Sequence, residues 1–256
     1  MPPAPPPGTS PTNAPSRSRP AWRRLTGRWL DASLGPSVAR QLQKARSDGW
    51  SPDTPADYCP RCGASSPSEA TEASPHDGCA GCREHPAPPW TRVVRLGPYE
   101  GPLGGWVREM KYRRVWSWAA ELGAMLADAA PPPTAGREHL VTWVPLHRGR
   151  RVRRGFDQAR LLAEAVAKPR GWPVLGLLKR TRATPMQART LPRNRARNLA
   201  GAFEALPIDL RNTEVLLVDD VRTSGATLTA ATRPLLARGA ASVRVAVVAV
   251  TDLHDR

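Results

Sequence analysis

The sequence predicts an α/β fold built on a parallel sheet, and three observations carry that prediction. Val- and Leu-rich runs recur along the second half of the chain: HLVTWV from His139, PVLGLL from Pro173, EVLLVD from Glu214 and SVRVAVVAV from Ser242. Segments of helical spacing stand between them, FDQARLLAEAVAK (Phe156 to Lys168) and ATLTAATRPLLARGA, the latter ending at Gly239. Near-continuous apolar runs mark strands buried on both faces, and alternation with helices is what parallel neighbours require.

The remaining segments follow in order. The opening MPPAPPPGTSPTNAPSRSRP is rich in Pro and Ser, and no Val, Leu or Ile precedes Leu25, which predicts a disordered tail. In SVARQLQKARSDG the apolar Val38, Leu42 and Ala45 fall three to four apart, the spacing of a helix. Val93 to Gly105 has strand-like and glycine-rich character, and Trp116 to Ala130 reads as a helix stopped by Pro131, Pro132 and Pro133. Pro234 inside the last helix costs about 3 kcal/mol unless it kinks or divides that helix. These boundaries divide the chain into 1–54, tail and helix; 55–90, a cysteine-bearing module; and 91–256, the α/β domain.

With 256 residues there is room for one ordinary domain plus appendages. No stretch has the apolar character of a signal peptide or approaches the roughly 18 residues of a membrane span, so a cytoplasmic protein is expected. The four cysteines suit a reducing compartment, where paired thiols more often mean metal than disulfide. Cys59, Cys62, Cys79 and Cys82 are spaced C-x₂-C-x₁₆-C-x₂-C, as for tetrahedral Zn²⁺. Four thiolates leave no open position, so the expected zinc is structural, with His76 and His85 surplus. A redox dithiol would need only one of the pairs.

The formal charge is +16, and it is concentrated. Between His147 and Asn198 stand 15 Arg and Lys against Asp157 and Glu164, a local balance of +13. A polyanionic partner is implied, a pyrophosphate-bearing metabolite or a nucleic acid, although solvated helix faces account for part of the excess. Within that window KRTRATPMQARTLPRNRARN, Lys179 to Asn198, carries seven cations and no acid. Its Pro and Thr content predicts a mobile loop able to close over a substrate, or a surface for single-stranded DNA phosphates.

The most informative stretch is LLVDDVRTSGAT, Leu216 to Thr227. A buried strand that ends on Asp219 and Asp220 delivers two carboxylates to the rim where parallel sheets bind ligands, and ionised carboxylates accept hydrogen bonds from sugar hydroxyls. Thr223, Ser224, Gly225, Ala226 and Thr227 then open a helix, whose N-terminal amides suit a phosphate. Turn and helix caps would explain one acid and one hydroxyl, not the whole run.

VLLVDDVRTSGATL resembles the phosphoribosyl pyrophosphate (PRPP) motif of type I phosphoribosyltransferases. With YEGPLGGWVREMKYRR, VPLHRGRRVRRGFDQARLLAEAV, TPMQARTLPRNRARNLAGAFEA and the four cysteines, residues 55 to 253 resemble the ComF family of phosphoribosyltransferase-like proteins. The resemblance implies a type I phosphoribosyltransferase-like parallel sheet flanked by helices and preceded by a small zinc-ribbon-like module. It implies that Asp219 and Asp220 contact the ribose of PRPP, that residues 223–227 hold its 5′-phosphate, and that Mg²⁺ accompanies it. The segment Pro145-Leu146-His147-Arg148 would be the pyrophosphate loop, with Arg148 and Arg151 placed to neutralise charge. A lone His at a loop edge is more often structural than catalytic, and both readings stay open for His147. Departures from the family pattern are Arg222, a cation beside the ribose site, and Asp157, an acceptor where Asn is commoner.

Two functions follow. One is PRPP binding, with phosphoribosyl transfer to a nitrogen acceptor. The other, implied by the ComF resemblance, is a non-catalytic protein of natural competence and DNA uptake that binds single-stranded DNA and a competence-machinery partner. A zinc-dependent interaction module would leave LLVDDVRTSGAT unused.

Overall fold

The computed structural model describes residues 37–65, 78–84, 87–182, 199 and 201–251. The predicted tail, His76, His85 and most of the cationic loop (183–198) lie outside them. The chain divides into two units, Met1–Gln41 and Leu42–Arg256, and everything below concerns the second. The expected helix is present as α1, Val38–Ser47, which crosses that division.

Four strands form one sheet in the order β1-β6-β5-β2, every neighbouring pair parallel. They are β1 (Arg92–Arg95), β2 (Glu138–Trp143), β5 (Thr213–Arg222) and β6 (Ser242–Val250). The two central strands are buried along almost their whole length, which is why EVLLV and VRVAVVAV read as unbroken apolar runs. A short antiparallel pair, β3 (Leu178–Arg180) and β4 (Phe203–Ala205), stands apart from the sheet.

The expected strand PVLGLL is divided between these two sheets. Val174 makes a single parallel bridge to Val141 of β2, whereas Leu178 already belongs to β3. Between them Gly176 lies where a Cβ would come within 2.9 Å of the Trp143 ring, so the chain bends over that indole instead of continuing along β2.

Helices cover both faces. Ser117–Ala129 (α4) packs on Gln158–Ala167 (α6), and α6 packs on β5 and β2. Gly123 permits the approach of the two helices, because a Cβ there would collide with Ala165. On the opposite face Ala226–Ala237 (α7) sets Leu228, Ala231 and Leu235 against Val215 and Leu217 of β5 and Val243, Val245 and Val247 of β6. This helix runs past Pro234 undivided.

The glycine-rich region differs from expectation. Only Arg92–Arg95 is strand, while Pro102–Tyr112 forms helix α3, with Pro at its start and Leu103, Trp106, Val107 and Met110 buried. Proline is preorganised for a first turn, and the four apolar residues share one face despite Gly104 and Gly105. Trp106 stacks on Trp118 of α4 with ring centroids 4.4 Å apart. Two further α-helices are Ala80–Glu84 (α2) and Arg148–Arg154 (α5), and a 3-10 turn, Lys168–Arg170, follows α6. No helix among the described residues is long and apolar enough to cross a membrane.

Candidate functional site

Unequal strand lengths create the site. At its carboxyl end β2 stops at Trp143, paired with Val218, and one further bond follows from Val144 N to Val218 O at 3.0 Å. β5 and β6 continue, pairing Asp219 with Val247 and Arg222 with Val250. Asp219 and Asp220 therefore lie within β5 and do not end it, a correction to the expectation from sequence. β6 satisfies the backbone beyond the acids, while the missing continuation of β2 leaves the carboxylates an open flank.

Asp220 is buried, and its carboxylate is engaged on both oxygens. Lys111 Nζ from α3 lies 2.9 Å from Oδ1, and Gln158 Nε2 from α6 donates to Oδ2 at 2.8 Å. Burial alone would discharge Lys111, but the fields of Asp220 and Asp219 outweigh it and hold the ammonium above its ordinary pKa. Because the amide nitrogen of Gln158 must face the carboxylate, its Oε1 points elsewhere, buried and without a partner among the described residues. It is an open acceptor beside the acids.

Asp219 accepts from the amide of Asp220 at 2.8 Å. It keeps an exposed edge, yet enough protein surrounds it that desolvation, reinforced by the charge of Asp220, pushes its pKa up to about 8. Between about pH 4 and about pH 8 the folded chain thus holds a proton that the unfolded chain releases, so stability falls as pH rises through that window. Asp219→Asn is expected to flatten this slope and to raise the melting temperature most at the alkaline end. Thermal melts of both proteins across the window check it.

Asp157 ties the loop after β2 to these acids. It caps α6, accepting from Arg160 N at 3.4 Å through Oδ1 and from Leu146 N at 3.1 Å through Oδ2. Both roles require an acceptor, so Asp serves where an Asn amide nitrogen would fail one of them. Asp157→Ala is expected to cost about 1–2 kcal/mol from the lost cap, measured by urea unfolding.

The turn expected from the sequence to hold a phosphate, residues 223–227, follows directly on β5. Gly225, at φ 75°, is the N-cap of α7, and its carbonyl accepts the first helical bond from Thr229 N at 2.8 Å. Ser224 Oγ lies 3.5 Å from Ala226 N. The first amides of α7 have no carbonyl one turn earlier to meet, so the helix end at Ala226 and Thr227 presents N–H donors beside Thr223. The structure thus brings Asp219, Asp220 and residues 223–227 onto one strand exit.

Of the pyrophosphate-loop residues, His147 caps α5, its Nδ1 accepting from Gly149 N at 3.2 Å. Arg151 is exposed on α5, while Arg148 is placed by its backbone as the first residue of that helix. Lys111 and Gln158 went unnoticed in the sequence. Gln158 follows Asp157 directly, and Lys111 falls on the same stretch as the buried residues of α3; neither position reveals the long-range pairing.

A second cluster stands beside β1, where Val93 N donates to Pro60 O. The sulfurs of Cys59, Cys62, Cys79 and Cys82 all lie within 4.8 Å of one another. Their closest separations are 3.8 Å for Cys59–Cys82, 3.6 Å for Cys62–Cys79 and 3.9 Å for Cys79–Cys82. A tetrahedron with Zn–S of about 2.3 Å has edges of about 3.8 Å, so the donor set fits zinc. Backbone amides already donate to two of the sulfurs, Cys79 N to Cys59 Sγ and Ala64 N to Cys62 Sγ, which orients them and favours their thiolate form. Burial pushes Cys82 up to about 11, a thiol that a cation would deprotonate.

The model of the phosphoribosyl transferase domain matches residues 157–256. DNA utilization protein YhgH of Salmonella typhimurium is 34% identical over 193 residues, which span 73% of this chain and 81% of that protein. Competence protein F of Haemophilus influenzae is 30% identical over 196 residues, spanning 73% and 82%. Among solved structures, the glutamine PRPP amidotransferase from B. subtilis complexed with ADP and GMP is similar at 21% identity, covering 52% of this chain and 26% of its own, with a TM-score of 0.37. That score adds nothing to the topology described above. The sequence identity and coverage settle the kinship: this chain belongs to the ComF family of phosphoribosyltransferase-like proteins.

Proposed function

We propose that the protein binds PRPP, or a closely related 5-phosphoribosyl ligand, at the carboxyl end of β5. The observation that supports this most is the direct succession, on one strand exit, of two carboxylates on an open flank and a glycine-capped helix N-terminus. Ribose hydroxyls donate to Asp219 and Asp220. The 5′-phosphate takes the amides and hydroxyls of Thr223 to Thr227. Arg148 and Arg151, on the helix after β2, supply positive charge for the pyrophosphate.

Magnesium would arrive with the ligand. Both oxygens of Asp220 are already occupied by Lys111 and Gln158, so the acid pair by itself is a poor Mg²⁺ cage, and the cation would take its oxygens chiefly from PRPP and water. The reaction class this arrangement suits is phosphoribosyl transfer: a nitrogen lone pair forms a bond to C1 of the sugar, the C1–O bond breaks, and pyrophosphate leaves with its electrons. The acid pair orients the sugar and stabilises positive charge at C1. Among the described residues none is assigned as the base for an acceptor. Cys59, Cys62, Cys79 and Cys82 hold a structural zinc. If both halves of the ligand site act, PRPP binds more tightly than ribose 5-phosphate, and free ribose does not compete. The reverse order in a competition assay would sink this reading.

A second reading rests on the names of the relatives, "DNA utilization protein" and "Competence protein F", and on one observation. Tyr112 and Trp116 are 60% and 49% exposed beside α5, with Arg154 positioned 5.5 Å from the Tyr112 ring and Trp116 5.9 Å from Phe156. Aromatic faces interleaved with arginine suit the bases and phosphates of single-stranded DNA, and such a surface would serve a competence-machinery role. Affinity for single-stranded DNA should then fall steeply with salt and be indifferent to substitution of Asp219 and Asp220.

A further inference from the structure

The cysteine cluster and the phosphate turn are not independent. Trp90, buried just before β1, touches both. Its indole Nε1 donates to the carbonyl of Arg61, inside the Cys59–Cys62 knuckle, at 2.8 Å. The far edge of the same ring meets the phosphate turn: a Cβ built on Gly225 would lie 3.2 Å from Trp90 Cη2, the nearest atom to it. The indole therefore bridges a knuckle whose shape depends on metal and a glycine whose left-handed conformation starts α7.

The knuckle is braced on the sheet as well. Val93 N of β1 donates to Pro60 O at 2.7 Å, and a Cβ on Gly63 would come within 3.0 Å of Val93 and 3.3 Å of Val250, the residue paired with Arg222. Gly225 has no side chain to lock its own position, and no side-chain bond caps α7 at that residue. The indole packs on the turn from the outside, beside the Arg222 guanidinium, whose Nε would lie 3.4 Å from the same Cβ.

We propose that Trp90 is a positioning residue that transmits the state of the four-cysteine cluster to the phosphate turn, so that metal at the knuckle holds residues 223–227 in the shape that receives a phosphate. The inference rests on the phosphoribosyl reading for its consequence, but not for its test. With the knuckle collapsed, the Arg61 carbonyl no longer anchors Nε1–H, the ring is free to rotate off Gly225, and the turn samples open conformations.

The test is amide hydrogen exchange on the full chain without any phosphoribosyl ligand, zinc-loaded and after chelation, in wild type and in Trp90→Phe. Phenylalanine lacks both the N–H donor and the Cη2 edge. Chelation of wild type is expected to speed exchange of the Thr229 amide, which bonds the Gly225 carbonyl, about tenfold or more while the centres of β5 and β6 stay protected. Trp90→Phe should already show the fast turn with zinc bound, and chelation should add little, because both changes break one linkage. An unchanged turn on chelation, or equal acceleration throughout the sheet, would overturn the proposal. So would additive effects of chelation and substitution. If Trp90→Phe fails to fold, the wild-type comparison still decides, since local and uniform acceleration remain distinguishable. PRPP titration of the same samples separates the two ideas: a turn that responds to metal in a protein that never binds PRPP keeps this coupling and removes the phosphoribosyl reading.

Discussion

Lys111→Met is expected to destabilise the protein by about 3–5 kcal/mol, the usual consequence of removing one partner of a buried ion pair. The substitution keeps the length of the stem on α3, so packing changes little. What remains is Asp220, buried and held by Gln158 alone, with Asp219 becoming a like-charged neighbour as the pH rises through about 8. Without the ammonium, which lowers the pKa of Asp219, the folded state binds a proton at Asp219 more firmly, so the loss should be greatest at alkaline pH and shrink as the pH falls and Asp219 protonates. In a domain of this size the melting temperature would drop by roughly 6–20 °C at the alkaline end. A loss of the same size at every pH would mean that Lys111 contributes packing and not charge.

Cys62→Ser is expected to remove the metal and to cost the structure more than one sulfur. Structural zinc contributes an apparent 10–16 kcal/mol in small zinc-finger peptides, far beyond what the short turns around these cysteines supply for themselves. The consequence reaches the sheet through Arg95 of β1, a guanidinium 1% exposed that lies 2.7 Å from Gly63 O, 2.9 Å from Ser65 Oγ and 2.6 Å from Asp53 Oδ2. If the knuckle opens, Arg95 loses the first two partners while still buried, and a buried cation with unmet donors is costly. Metal analysis of freshly purified, reduced protein should find one zinc in wild type and almost none in the variant, with a markedly lower melting temperature. Wild type without metal would remove the zinc assignment altogether.

These two substitutions also mark what the amino-acid sequence makes legible. SVRVAVVAV is readable as a strand because both of its faces are buried, and its boundaries in the structure are Ser242 to Val250. The cysteine spacing predicts a cluster that the fold assembles, because a metal site is a local pattern written twice. The end of β5 was less readable. Two adjacent acids look like the end of an apolar strand, and only the greater length of β6 and the early stop of β2 show that the strand runs on beneath them.

Lys111 was hidden for a related reason. Gly104 and Gly105 obscure the helical face of PLGGWVREMKY, and the pairing of Lys111 with Asp220 joins positions far apart in the chain. Local pattern names the acids, but only tertiary packing shows what holds them. The same is true of Trp90, whose two contacts lie on opposite sides of it in sequence, at Arg61 and Gly225.

The most direct measurement is calorimetric titration of PRPP with Mg²⁺ into wild type and into the Asp219→Asn, Asp220→Asn double variant at moderate salt. Replacing both carboxylates by amides keeps their shape and removes the charges that the ribose hydroxyls would meet. Saturable binding by wild type and its loss in a folded double variant is the result this account predicts. No heat of binding in wild type, with single-stranded DNA bound equally by both proteins, would contradict it and leave the cationic, aromatic surface beside α5 as the functional site.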